Sequence, residues 1–184
     1  MKRSKKLIDL LSDPQLNEVL LMERLDRIST ENSSVKVRRA KIIKAVDQVG
    51  ELLAPHVTCR PGCVTCCHGP VLIQEHEAKR LAEVTNRKMV PVSHHSPVQY
   101  LALAGERHSR PCPFLKDDLC SVYPHRPLRC RTHHTTNKNP KQCSTKAFEG
   151  GRGVVVHPIA LEGIYLGDWN GDDPWGSIHE FFPD

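Results

Sequence analysis

Eight cysteines constrain this chain more than any other feature, because all of them fall within the segment from Cys59 to Cys143. The first four follow the spacing C-x3-C-x2-C-C, and gaps of seven, nine and twelve residues separate the last four. The eight are Cys59, Cys63, Cys66, Cys67, Cys112, Cys120, Cys130 and Cys143. One short loop cannot close the wide gaps, so we expect the later thiols to converge through tertiary folding.

The compartment decides how clustered thiols are interpreted. The apolar stretch near the N-terminus is interrupted by Asp9 and stops at Ser12, which is too short for a signal-peptide core. Nothing approaches the ~18 apolar residues that a membrane span needs. We therefore expect a cytoplasmic protein with no membrane contact, where thiols stay reduced and act as metal ligands or redox groups. Four disulfides are the alternative for a chain secreted without a recognisable leader.

The first cysteine group suits a metal site. A thiolate bonds zinc at about 2.3 Å, so two thiolates from one short loop need a tight backbone turn, which Pro61 and Gly62 can supply. The adjacent Cys66 and Cys67 cannot share one metal without strain, which predicts different roles for them. Eight thiols allow two four-thiolate sites, or one four-cysteine cluster with a second metal.

Two segments, CRPGCVTCCHGP and PCPFLKDDLCSVYPHRPLRCR, carry a resemblance over about residues 56–143. They resemble the YkgJ-like CxxCxxCC family of zinc- or iron-chelating domains, which includes the flagellin lysine N-methylases. The family pattern maps onto the first seven cysteines, with Arg126, Pro127 and Arg131 as companions; the first spacing here is x3 instead of x2. The resemblance implies zinc or an iron–sulfur centre such as 4Fe-4S and, in the methylases, a cluster beside methyl transfer. No Gly-rich nucleoside loop supports that activity here.

Charged and imidazole side chains surround the thiols. Guanidinium groups at positions 126, 129 and 131 would offset the negative charge of a thiolate site, or they could pair with Asp117 and Asp118. Three histidines are candidates to replace a cysteine ligand: His68, His133 and His134. His94 and His95 lie in a polar loop, where we expect solvation.

No complete catalytic pair is visible in the sequence, so the catalytic residues stay unassigned. Glu75, His76 and Glu77 could act as acid or base at an open metal position, but such residues also begin helices. Cys130 could act as a nucleophile with His133 or His134, although a ligand role suits its ordered pattern better.

The predicted architecture is mainly α: a small, irregular, metal-organised domain of short helices and loops with little β structure. We expect a helical N-terminal arm (1–54), a cysteine-cluster metal-binding domain (55–149) and a C-terminal tail that packs back (150–184). One predicted helix begins at Ser12-Asp13-Pro14, with an apolar stripe that includes Leu20, Leu25 and Ile28. Further helices are predicted over 35–53, 74–84, 97–104 and 158–166, a strand over 154–156, and a covering role for Trp169, Trp175, Phe181 and Phe182.

The net charge of +5 lies mostly at the N-terminus, where residues 1–50 carry 11 Lys and Arg against 7 Asp and Glu. We expect this face to be solvated, with a protein partner docking on the N-terminal helices; nucleic acid is the weaker alternative, because no aromatic interleaving accompanies the charge. The predicted function is a metal-binding structural module. The alternative is an iron–sulfur enzyme or electron-transfer protein, related to protein lysine methylation.

Overall fold

The structure is a computed structural model that describes residues 18–69, 71–93, 110–135, 139–144 and 173–183. The chain divides into two compact units, Met1–His56 with His157–Gly171 and Val57–Val156 with Asp172–Asp184. Both are described by themselves below. Short helices predominate and the sheets have two strands each, so the predicted mainly α fold is confirmed.

The described part of the first unit is a pair of helices, α1 (Glu18–Ser29) and α2 (Val35–Leu53). The Ser34 hydroxyl caps α2 by accepting a hydrogen bond from the Val37 N–H at 3.4 Å. The predicted helix over 35–53 is confirmed, and its buried side chains are Ile42, Ala45, Val46, Val49 and Leu53.

In the predicted apolar stripe of α1, Leu25 was right and Leu20 was wrong. Leu21 and Leu25, four residues apart on one helical face, are the buried leucines of α1, whereas Leu20 is 47% exposed. Four-residue spacing keeps two side chains on the same face, and Leu20 lies about 100° round the helix from Leu21.

In the second unit, two short strands each lead directly into a helix. Strand β1 (Leu72–Gln74) precedes α3 (Glu75–Thr85), and β4 (Trp175–Ser177) precedes α5 (Ile178–Phe181). β1 and β4 pair antiparallel. The predicted helix over 74–84 is confirmed within one residue at each end.

The core of this unit lies under the β1–β4 pair. Its buried members are Ile73, Ala78, Leu81, Phe114, Val122, Ile178, Phe181 and Phe182. Phe114 and Phe182 meet edge to face with ring centroids 4.8 Å apart, a favoured aromatic geometry. Cys112 and Cys120 pack against the same core, so the apolar centre and the cysteine region are continuous.

A tight hairpin and a short helix complete the second unit. Strands β2 (Leu115–Lys116) and β3 (Leu119–Cys120) pair antiparallel. Asp117 and Asp118 connect them with φ angles of 50° and 55°, the left-handed conformation that a type I′ turn requires at both central positions. Helix α4 (Leu128–Thr132) carries Cys130.

None of the helices in the described ranges is long and apolar enough to cross a membrane. Several predictions lie outside the described residues: the helix start at Ser12, the helices over 97–104 and 158–166, the strand over 154–156, and the positions of His94, His95 and Trp169. The proposed domain boundaries remain a prediction.

Candidate metal centre

The first cysteine motif is a loop that backbone hydrogen bonds hold at its start and across its turn. The Thr58 N–H donates to the Thr135 carbonyl at 2.8 Å, and the Cys63 N–H donates to the Arg60 carbonyl at 2.9 Å. Gly62 closes the turn with a φ of +80°, which favours glycine. A 3-10 helix, Thr65–His68, then carries Cys66 and Cys67. The sequence-predicted turn between the first two thiols is therefore present.

The second motif is hydrogen-bonded directly to the first. The Cys112 N–H donates to the Cys67 carbonyl at 2.7 Å, and the Leu115 N–H donates to the Cys112 carbonyl at 2.8 Å. The β2–β3 hairpin then returns the chain, so that Cys120 pairs with Leu115. These contacts bring Cys112 beside the vicinal pair Cys66 and Cys67, with Cys120 near Cys112.

Cys143 reaches the first motif from a separate turn. It ends a 3-10 helix, Pro140–Cys143, which begins where the Asn139 side chain accepts from the Lys141 N–H at 3.1 Å. This turn contacts the Thr65–His68 helix, and Cys143 is buried. The predicted tertiary convergence thus includes a cysteine far along the chain from the first motif.

Electrostatic coupling defines a group of thiols around the first motif. Burial raises the pKa of Cys59, and the neighbouring thiolates of Cys63 and Cys66 raise it further, against the lowering by the Thr135 backbone hydrogen bond. Burial likewise raises the pKa of Cys143 to about 11, with Cys59, Cys66 and Cys63 adding to the shift. These are thiols close enough to repel one another when ionised.

A second coupled group includes the later cysteines. Burial raises the pKa of Cys112 to about 11, and the charges of Cys120 and Cys66 contribute. Burial also raises the pKa of Cys130, again with contributions from Cys112 and Cys66. The pKa of Cys66 itself is raised first by its hydrogen bond with Cys67 and then by burial. Cys66 therefore interacts with both groups.

All eight cysteines are free thiols. Across the ranges that the structure describes, no three His, Cys, Asp or Glu side chains converge closely enough to enclose an ion. The interactions described above nevertheless make these thiols neighbours. Their chemistry suits the group: buried, mutually repelling thiolates are destabilised, and a soft cation such as zinc or cluster iron offsets that repulsion.

The two arginines of the motif differ in role. Arg131 is buried, and its guanidinium donates to the carbonyls of Arg126 and Pro124 at 2.7 and 2.6 Å, which fixes the loop before α4. Arg126 lies over the Tyr123 ring, 3.7 Å from its centroid, and its charge lowers the pKa values of Cys66 and Cys130. Arg126 is thus one guanidinium that counters thiolate charge, and Arg87 acts in the same direction on Cys112.

The histidines are placed in different ways. His68 is exposed and its Nδ1 lies 3.0 Å from the Val64 carbonyl. The His133 carbonyl lies 3.9 Å from the Cys59 Sγ, so the His133 backbone is beside the first motif. His125 was not singled out from the sequence, yet its Nδ1 is buried and has no hydrogen-bond partner within the described ranges. The ligand roles of His68, His133 and His134 stay predictions.

Sequence reasoning also missed two partners. Asp173 accepts from His76 Nδ1 at 2.8 Å, which supplies the carboxylate partner that the sequence did not show for His76. Glu77 bonds the Leu128 N–H at 2.8 Å and so connects α3 to the helix of Cys130. Neither pair is local in the chain, so spacing gave no signal for them.

Comparison with known proteins identifies the cysteine region. Residues 58–147 match the family model CxxCxxCC, described as a "putative zinc- or iron-chelating domain". No curated protein and no solved structure matches the chain. The matched segment contains all eight cysteines, so residues 58–147 constitute a zinc- or iron-chelating domain of the CxxCxxCC family.

Proposed function

We propose that this protein is a cytoplasmic metal-binding module whose eight cysteines hold zinc or an iron–sulfur centre in two thiolate groups that meet at Cys66 and Cys67. The observation that carries the proposal is the hydrogen bond from the Cys112 N–H to the Cys67 carbonyl, because it holds the two cysteine motifs side by side. The metal organises the loops of this region, whose free energy of folding then includes the free energy of metal binding.

The electrostatic coupling supports a division of the ligands. One group contains Cys59, Cys63 and Cys143, and the other contains Cys112, Cys120 and Cys130. Each group needs a fourth thiolate for a tetrahedral zinc site or a cubane cluster. The vicinal pair supplies one each, since adjacent cysteines share a single metal only with strain.

A structural role suits this arrangement better than catalysis. Four thiolates saturate a tetrahedral zinc, which leaves no position for substrate. The alternative is an iron–sulfur enzyme or electron-transfer protein, related to protein lysine methylation, and it requires a redox-active cluster or S-adenosylmethionine binding. We place the partner site on the N-terminal helices, where Leu20, Met22 and Val37 are exposed apolar side chains.

Elemental analysis and absorbance of anaerobically purified protein test the proposal. Two zinc ions per chain without visible colour, or iron and acid-labile sulfide with a brown colour, would support it. The double variants Cys59→Ser/Cys143→Ser and Cys120→Ser/Cys130→Ser should each remove one thiolate group and leave metal on the other. A protein that binds neither metal and contains four disulfides would refute the proposal.

A second set of measurements distinguishes the structural module from the enzyme or electron-transfer protein. A reversible one-electron reduction of the loaded protein, or saturable binding of S-adenosylmethionine, would favour the enzyme or electron-transfer function. A loaded protein that shows neither, and whose metal does not bind added cyanide, has closed sites and is the structural module that we propose.

A further inference from the structure

The Glu77 carboxylate connects the starts of two helices. Its Oε2 accepts from the Gln74 N–H at 3.1 Å, at the beginning of α3, the helix to which Glu77 belongs. Its Oε1 accepts from the Leu128 N–H at 2.8 Å, at the first residue of α4. A helix leaves its first N–H groups without internal partners, so one carboxylate satisfies a donor at each helix. Glu77 is half-buried, which strengthens both charge-assisted bonds.

Apart from the bonds that Arg131 makes to the preceding loop, helix α4 has little of its own to fix its start. It has five residues, far fewer than an isolated helix needs, and Pro127 before it has no side-chain hydrogen bond to cap it. Cys130 lies in this helix, two residues after Leu128. The Glu77 charge reaches that thiol, because it contributes to raising the pKa of Cys130. The carboxylate is therefore near the thiol as well as bonded to its helix.

We propose that Glu77 is a positioning residue for the metal centre: by bonding the Leu128 N–H, it holds the Cys130 helix against α3 so that the thiol faces the other ligands. The inference rests on the proposed function, because it assigns Cys130 as a ligand. Glu77 acts through α4 and need not contact the metal. Outer residues of this kind typically change metal affinity by about 10–100-fold when removed.

The chain offers a matched control in Glu180. Its Oε2 accepts from the Ser177 N–H at 2.8 Å, which caps α5 as Glu77 caps α3. Helix α5 carries no cysteine. Substitution of Glu180 therefore removes a helix-capping carboxylate from the same unit while leaving the connection to Cys130 in place.

The experiment compares Glu77→Gln and Glu77→Ala with Glu180→Gln in the full chain. A glutamine side chain has one acceptor oxygen, so Glu77→Gln leaves one of the two N–H groups without its partner. Metal-free protein is titrated with Co²⁺ under anaerobic conditions, and a competing chelator gives the affinity. Thiolate-to-cobalt charge-transfer absorbance reports how many thiolates bind, and thermal unfolding with and without metal reports stability separately.

We expect Glu77→Ala to lower the Co²⁺ affinity of one site by about 10–100-fold and to reduce the charge-transfer absorbance, with Glu77→Gln in between. Glu180→Gln should leave both unchanged. Equal affinities in the Glu77 and Glu180 variants would overturn the positioning role, as would Glu77 variants that stay unfolded at every Co²⁺ concentration, since Glu77 would then serve stability alone. Wild-type protein that binds no Co²⁺ and contains neither zinc nor iron as purified would instead reject the proposed function.

Discussion

The backbone of Cys112 is hydrogen-bonded to the backbone of Cys67, with 2.7 Å between the amide nitrogen and the carbonyl oxygen. The two residues belong to different cysteine motifs, and α3 lies between those motifs in the chain. A main-chain bond of this kind does not depend on the thiols themselves. It therefore holds the two motifs side by side through the main chain and leaves the thiols available as ligands.

Cys66 is the thiol that interacts with both groups, so its replacement should have the largest effect of any single cysteine. We expect Cys66→Ser to lower metal content and to cost the loaded protein at least ~2 kcal/mol in unfolding free energy, since ligand binding contributes to folding. Metal analysis and denaturant unfolding measure both. Thr65→Ser, on the same 3-10 helix, is the control and should change neither. Unaltered metal content in Cys66→Ser would remove it from the ligand set.

Replacing Arg131 should change stability, whereas replacing Arg126 should change metal binding. Arg131→Ala removes the two hydrogen bonds that the buried guanidinium donates to the carbonyls of Arg126 and Pro124, at a cost of about 1.5–3 kcal/mol each, so it should destabilise the protein with or without metal. Arg126→Ala removes the charge that favours the thiolates of Cys66 and Cys130, so it should weaken metal binding instead.

The control for Arg126 is Arg126→Lys, which keeps the positive charge and loses the flat stacking on Tyr123. Chelator competition for affinity and thermal unfolding for stability give the two readouts. If Arg126→Lys is as weak in metal binding as Arg126→Ala, then the stacking, and not the charge, is what the site uses.

The helices were the predictable part of this fold. The apolar spacing over 35–53 predicted both the bounds and the buried face of α2, because a long amphipathic pattern shows which side of the helix is apolar. In α1 the described leucines Leu20 and Leu21 are adjacent, and tertiary packing, which the sequence does not state, decides that Leu21 is buried. The grouping of the cysteines into two motifs was also predictable, since the cysteines lie close together in the sequence.

The long-range contacts were not predictable. Strands β1 and β4 have three residues each, too few to show a two-residue period, and nearly the whole second unit separates them in the chain. The Glu77–Leu128 bond joins a side chain to a backbone N–H, a donor that every residue except proline has, so residue type gave no signal. Contacts of this class depend on the folded arrangement of elements.

Two glycines should respond to alanine for different reasons. Gly62 has a φ of +80° and open space around its missing Cβ, so Gly62→Ala costs only backbone strain, about 1–2 kcal/mol. At Gly176 an added Cβ would lie 3.0 Å from the Val92 side chain and 3.2 Å from Phe181, so Gly176→Ala disturbs the core. Denaturant unfolding measures both. Gly62→Asn, which tolerates this φ, should be milder than Gly62→Ala; an equal loss would point to another cause.

The thiols should make metal-free protein lose stability in alkaline solution. Folding raises the pKa of Cys112 and of Cys143 from 9.0 to about 11, with burial as the main cause. Because the folded pKa is the higher one, the stabilisation is complete below the unfolded value and is lost as pH rises through the window between about 9 and 11. Metal binding should show the opposite trend, with affinity rising with pH as protons are displaced from the thiols. Urea unfolding of metal-free protein across the window, compared with Cys112→Ser, tests this, because the variant should lose stability with a smaller slope. A slope that the variant does not reduce would mean that other groups cause the alkaline loss.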